Sequence, residues 1–436
     1  MTSDSDWMLD VGFTDRLANV RLMIPSRGVA AGLTIPTPLL QRIAAYQRAV
    51  PSANFSEAHT EATKLENSAF SQAASKEQYQ SECQKAIDDL DDREQPALVM
   101  SVPDVIDNGN GNEGVIVNEG SNTDAAPASC GKRIGRYENA IYHQEGIFST
   151  VYKAKNDGGA TVALKLTTPH IMSPPHDSKR EARILSALSN PNVIPLLDTF
   201  TQPDGHFILV FPFIPLHFDD LMHRRVLSTH QIRLHLRDLF RALAYVHAQG
   251  IIHRDVKPSN ILLRNSNGPA YLADFGIAWS PTDKDSEAAD KKITDVGTAC
   301  YRPPEILFGD KRYGTSLDLW AAGCVVAEAV DIDHRHLFDA GELGSELALV
   351  QSIFVKLGTP NAESWPSNKD LPDWGKIQFK EYPAKPWAEI LNGASSNGRD
   401  LVSKLVRYES GERLSAAEAL AHPYLNFVTE QRSIKQ

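Results

Sequence analysis

Cysteine is scarce in this chain: Cys83, Cys130, Cys300 and Cys324 are scattered through 436 residues. They form no C-x-x-C pair and sit in no histidine cluster, so neither a disulfide framework nor a structural zinc site is indicated. A reducing, intracellular setting, cytoplasmic or nuclear, is expected. No run approaches the roughly 18 apolar residues that span a bilayer, and the opening MTSDSDWMLD lacks the basic and apolar regions of a secretory leader. A soluble protein with no membrane partner is expected. Clustered Lys and Arg are missing too, which argues against nucleic acid as a partner, because phosphate contacts need them.

The acidity is unevenly placed. Residues 1–130 hold 19 acidic and 9 basic side chains, net −10, leaving 36 and 35, net −1, for the rest. Within this front, TPLLQRIAAYQRAV (37–50) carries apolar residues at helical spacing, and 56–90 has further amphipathic character. Between 91 and 132 the composition turns to Asn, Gly, Asp, Ser and Pro, too poor in apolar bulk to bury a core. We read 1–132 as an acidic, mostly disordered extension with possible docking helices, 136–425 as one folded domain, and 426–436 as a tail.

The chemistry concentrates in Ile251 to Gly276, IIHRDVKPSNILLRNSNGPAYLADFG. Apolar runs at 251–252, 261–263 and 271–273 predict buried strands that clamp a polar loop. Asp255 is suited to orient a hydroxyl and accept its proton, Asn260 and Asp274 offer hard oxygen ligands for Mg²⁺, and Lys257 neutralises a moving phosphoryl group. Upstream, ATVALKLTT predicts a strand delivering Lys165, and SKREARILSAL a helix carrying Glu181.

HRDVKPSN followed by DFG resembles the catalytic and metal-binding loops of eukaryotic protein kinases, and VALK resembles their strand lysine motif. The resemblance implies an α+β, bilobal kinase fold: a small β-rich N-lobe and a larger helical C-lobe, with the disordered extension in front. It implies ATP and Mg²⁺ as cofactors and a protein substrate. Lys165 would contact the phosphates and pair with Glu181. Thr298 would bridge Asp255 and Lys257, Asp318 would brace the loop backbone, and Glu305 would pair with Arg413. The adenine would meet the carbonyl of Pro212 and the backbone of Ile214, with Phe211 at the back of the pocket. One departure stands out. Against the usual L-G-x-G-x-x-G-x-V, the segment HQEGIFSTV keeps Gly146 and Val151 but has Gln144 and Ser149 where glycines are expected, so a stiffer or more distant lid is expected.

YRPPEILFG, DLWAAGCVVAEAV and the closing HPYL resemble the cyclin-dependent kinase group. The helix that docks cyclin in that group carries an apolar residue where this chain has Lys179, so activity without a cyclin is expected. Ile293 occupies the position of the activating threonine, which leaves Thr294, Asp285, Glu287 or Asp290 to meet Arg254. Gly297 replaces a Val or Ala whose backbone strain enforces a proline after the target. Together with DKKITDVGTACYRPPEILFG and the depleted glycine loop, these features most resemble single-subunit fungal kinases that activate cyclin-dependent kinases. Two other readings stand beside this one. The chain is a kinase of the same group with unrelated substrates or a cyclin partner, or it is a scaffold without catalysis, which only the depleted loop supports.

Overall fold

The computed structural model describes residues 131–426, apart from 147, 342 and 343, together with positions 81 and 85. Apart from positions 81 and 85, the two helical segments expected in the front, and the linker up to residue 130, lie outside the described residues.

Alternation builds the smaller lobe. Strands β1 (Lys132–Ile134), β2 (Tyr137–Gly146), β3 (Ser149–Lys155), β4 (Thr161–Thr167), β5 (Asp198–Thr201) and β6 (Phe207–Pro212) form one antiparallel sheet in the order β1-β2-β3-β4-β6-β5. In β4, Val162 and Leu164 are buried in a small core with Ile134, Tyr137, Ala154, Ile208 and Val210. The two-residue period then turns Ala163 and Lys165 to the opposite face, toward the cleft. The fold begins earlier than expected, because β1 precedes Arg136. Only Ile134 of its three residues is buried, too short a signal for alternation to register.

Helix α1 (Ser178–Ala187) lies beside this sheet, and Asp177 caps it by accepting from the amides of Lys179 and Arg180, both at 2.9 Å. After β6 come β7 (Leu216–His217), α2 (Phe218–His223) and α3 (Thr229–His247). The periodic residues of α3, Ile232, Leu236, Leu239, Leu243 and Val246, are all buried. A capping box of Ser228 and Gln231 starts it, and Gly250 at φ 73° reverses the chain where the Ile251 amide donates to Val246.

Strands β8 (Ile261–Leu263) and β9 (Ala270–Leu272) complete a second sheet, β7-β8-β9. The strand expected at 251–252 is not formed. Ile252 makes a single bridge to Trp279, because two residues later Arg254 turns to φ 71° and the chain leaves any strand path. Helices α4 (Pro304–Leu307), α5 (Ser316–Val330), α6 (Glu346–Leu357), α7 (Trp387–Ile390), α8 (Ser396–Leu405) and α9 (Ala416–Ala421) fill the larger lobe. Nearly every residue of α5 is buried, as an apolar sequence on all faces requires. It is the axle of the main core. Among the described residues no helix is long and apolar enough to cross a membrane.

Candidate active site

The polar segment 253–260 is held from below by α5. The Asp318 carboxylate accepts from the amides of His253 (2.8 Å) and Arg254 (2.9 Å) and from the His247 ring (2.8 Å). Burial opposes ionisation of Asp318, but the His247 bond and the charges around it outweigh that cost and hold its carboxyl below the usual range. His253 donates from Nε2 to the Ala273 carbonyl and accepts at Nδ1 from the Asp255 amide. The loop is thereby tied to the segment carrying Asp274.

Asp255 sits at the centre of a small network. Thr298 donates its hydroxyl to Asp255 Oδ1 at 2.8 Å, Lys257 Nζ reaches the same hydroxyl at 2.8 Å, and Lys257 lies 2.9 Å from Asp255 Oδ2. Asn260 donates to the Asp255 carbonyl (2.8 Å) and to Oδ2 (3.1 Å), leaving its amide oxygen as its remaining side-chain acceptor. The bridge expected of Thr298 is formed.

Across the cleft, Lys165 Nζ is 2.8 Å from both oxygens of Glu181 and 2.8 Å from Asp274 Oδ1. Burial alone would lower the Lys165 ammonium, but the Asp274 and Glu181 carboxylates outweigh it and raise it. Lys165 in turn holds Asp274 well below the usual carboxylate range, so Asp274 is ionised at neutral pH. Asp274 adopts φ 61°, a left-handed conformation uncommon outside glycine. Its side chain is half exposed toward the cleft.

A cavity of about 520 Å³ opens between the lobes. Gln144, Gly146, Ser149 and Val151 line its roof, and Phe211 and Pro212, at the end of β6, with Ile214, in the segment between β6 and β7, line it where the lobes join. Lys165, Glu181, Lys257, Asn260 and Asp274 line it as well. Asp255 and Thr298 border a neighbouring recess. The lid remains paired, Gln144 opposite Val151 and Gly146 opposite Ser149. Sequence reasoning missed His143, Ile194, His217 and Leu262, which also line the cavity; each reads as an ordinary strand or loop residue until the sheets are assembled.

The activation segment is anchored at both ends. Arg254, fully buried, pairs with Glu287 at 3.1 Å. Burial works against ionisation of Glu287, but Arg254 and Arg180 outweigh it and depress its pKa. That stabilisation is present above the ordinary glutamate range and is lost as pH falls through the depressed value. Asp285 instead joins Asp283 on Arg183 of α1, at 2.8 and 2.6 Å. Ile293 packs against Ile252, Trp279, Val296 and their neighbours. Gly297 lies at φ 81°, and a Cβ there would come within 2.9 Å of the Arg254 carbonyl, so glycine is needed on both counts. Glu305 and Arg413 form a buried bidentate pair at 2.6 and 2.7 Å.

Two lobes that meet at the short segment between β6 and β7, with an ion pair fixing the upper helix to its sheet and an anchored polar loop beneath, make a phosphotransferase. Residues 144–425 match the protein kinase domain, and the chain belongs to the protein kinase family. It is 39% identical over 241 residues to serine/threonine-protein kinase csk1 of Schizosaccharomyces pombe, covering 54% of this chain and 77% of that protein. It is 35% identical over 286 residues to cyclin-dependent kinase 20 of Danio rerio, covering 64% of this chain and 80% of that one. The chain is therefore a protein serine/threonine kinase of the cyclin-dependent kinase group.

Proposed function

We propose that this kinase phosphorylates the activation-segment threonine of cyclin-dependent kinases and does so without a cyclin. The observation that carries the second half is the closed internal network around α1. Lys165 already meets Glu181, and Arg183 holds Asp283 and Asp285 of the activation segment. Lys179, exposed where an apolar docking residue would be needed, supports the same reading, since burying an unpaired ammonium costs several kcal/mol, very roughly. The relaxed backbone at Gly297 suits a target threonine not followed by proline.

The cofactors are Mg²⁺ and ATP, and the donor set fits them. Asn260 and Asp274 supply hard oxygen ligands, and Lys165 supplies the cation for the phosphates. When bound, the metal neutralises charge on the transferred group. Asp255, steadied by Thr298 and Asn260, orients the incoming hydroxyl and takes its proton, while Lys257 balances charge beside it. Phe211, Pro212 and Ile214 border the adenine position, where Pro212 loses nothing by lacking an N–H because only its carbonyl is used. Gln144, Gly146, Ser149 and Val151 form the lid.

The test is to incubate the purified full chain with Mg²⁺, ATP and an unactivated, cyclin-free cyclin-dependent kinase, then map the phosphosite by mass spectrometry. Stoichiometric modification of its activation-segment threonine is expected. Modification only after cyclin is added, or only elsewhere, sinks the proposal.

Glu287 takes the place of a phosphothreonine at Arg254 in this reading. Glu287→Gln leaves a buried guanidinium with a weaker partner, and kcat is expected to fall by roughly tenfold, one 1.4 kcal/mol step. Unchanged kcat, in protein shown to be unphosphorylated at Thr294, would remove Glu287 from this role.

A further inference from the structure

Where α2 meets α5, at the rim of the inter-lobe cavity that Asp219 also lines, three ligand-type side chains converge. Asp219, His223 and Glu328 each direct one donor atom to within 4.8 Å of the others. Glu328 is fully buried, and its two oxygens are treated differently. Oε2 accepts from the Tyr301 hydroxyl at 2.7 Å and meets His336 Nδ1 at 3.1 Å. Oε1 is buried with no hydrogen-bond partner.

His223 Nε2 lies 3.8 Å from Oε1, too far for a hydrogen bond. The other His223 nitrogen, Nδ1, lies 2.9 Å from Asp219 Oδ1 and 3.1 Å from the Asp219 carbonyl. Both partners are acceptors, so Nδ1 carries the proton and donates. In the neutral ring this leaves the Nε2 lone pair facing the Oε1 lone pair across the gap. Two lone pairs facing each other across this gap call for a positive charge between them, either a proton on Nε2 or a metal ion. A metal with Zn–N and Zn–O bonds of about 2.0–2.2 Å holds neighbouring ligand atoms about 3.3 Å apart, close to the observed gap.

We propose that His223 Nε2 and Glu328 Oε1 bind a divalent transition metal, with zinc the ion best matched to an imidazole and carboxylate set, while Asp219 accepts the Nδ1 proton and holds the His223 ring in place. Tyr301 and His336, on Oε2, orient the Glu328 carboxylate, as outer partners of metal ligands do. His223 and Asp219 are 48% and 41% exposed and leave a path for entry. The bound ion would cross-link α2 to α5 beside Tyr301, and this inference does not depend on which protein the kinase modifies.

The experiment uses the full chain, stripped with chelator and then titrated with Zn²⁺ or Co²⁺. One equivalent of Co²⁺ is expected to give visible absorption of a low-coordinate nitrogen and oxygen site. Zinc at a hundredfold excess over its Kd is expected to raise Tm by roughly 5–10 °C. Both signals should vanish in His223→Ala and His223→Gln and persist in His170→Ala, an exposed histidine elsewhere. No stoichiometric cobalt spectrum, or a spectrum and Tm shift that survive loss of His223, overturns the site.

Discussion

Asp255→Asn is expected to slow phosphoryl transfer by roughly 10²–10⁴, the range for removing a general base. The substitution keeps size and shape, and the amide can still accept from the Thr298 amide and hydroxyl, now 3.1 and 2.8 Å from Oδ1. Folding and nucleotide binding should therefore persist while kcat collapses. Lys257, at present neutralised by Oδ2, is left with Thr298 alone as partner, which adds a smaller charge effect in the same direction. The check is steady-state kinetics beside a nucleotide-binding titration. A loss of binding with little change in kcat would move Asp255 out of the catalytic step.

Arg413→Ala is expected to have the largest effect on stability. Both partners of the Glu305 pair are buried, with side chains 0% and 5% exposed. Removing the guanidinium leaves a buried carboxylate alone, a loss of roughly 3–5 kcal/mol. Arg413 also donates to the carbonyls of Ser316, Arg407 and Tyr408 and lies over the Trp320 ring, 5.0 Å from its centroid. Those bonds tie α5 to the segment before α9. At about 2–4 °C per kcal/mol for a domain of this class, Tm should fall by about 10 °C. Replacing both members, Glu305→Leu with Arg413→Met, should recover part of that loss, because no unpaired charge remains. A single variant that melts with the parent would show the pair to be dispensable.

The residues that carry chemistry were the most legible in the sequence. Phosphotransfer demands particular side-chain types at short, fixed spacings, so Asp255, Lys257, Asn260 and Asp274 announce themselves, and each is found beside the partner its type requires. The strand and helix that bring Lys165 to Glu181 were readable because alternation and helical spacing are local signals. Other features depend on long-range geometry. Ile251 and Ile252 have the composition of a strand, but among the described residues their one bridge is that of Ile252 to Trp279. Asp285, Glu287 and Asp290 were equivalent candidates for Arg254. The choice fell to Glu287 because Arg183, on α1, already holds Asp285. The convergence of Asp219, His223 and Glu328 spans more than a hundred residues, and no spacing rule would join them.

The most direct measurement is transfer of labelled phosphoryl from Mg²⁺-ATP to a threonine acceptor by the purified chain alone, with Asp255→Asn alongside. Labelled acceptor from the parent, with the variant reduced by at least a hundredfold, is the expected result. Equal label from both proteins, or none from either although Mg²⁺-ATP binds, would contradict the assignment of this cleft to phosphoryl transfer.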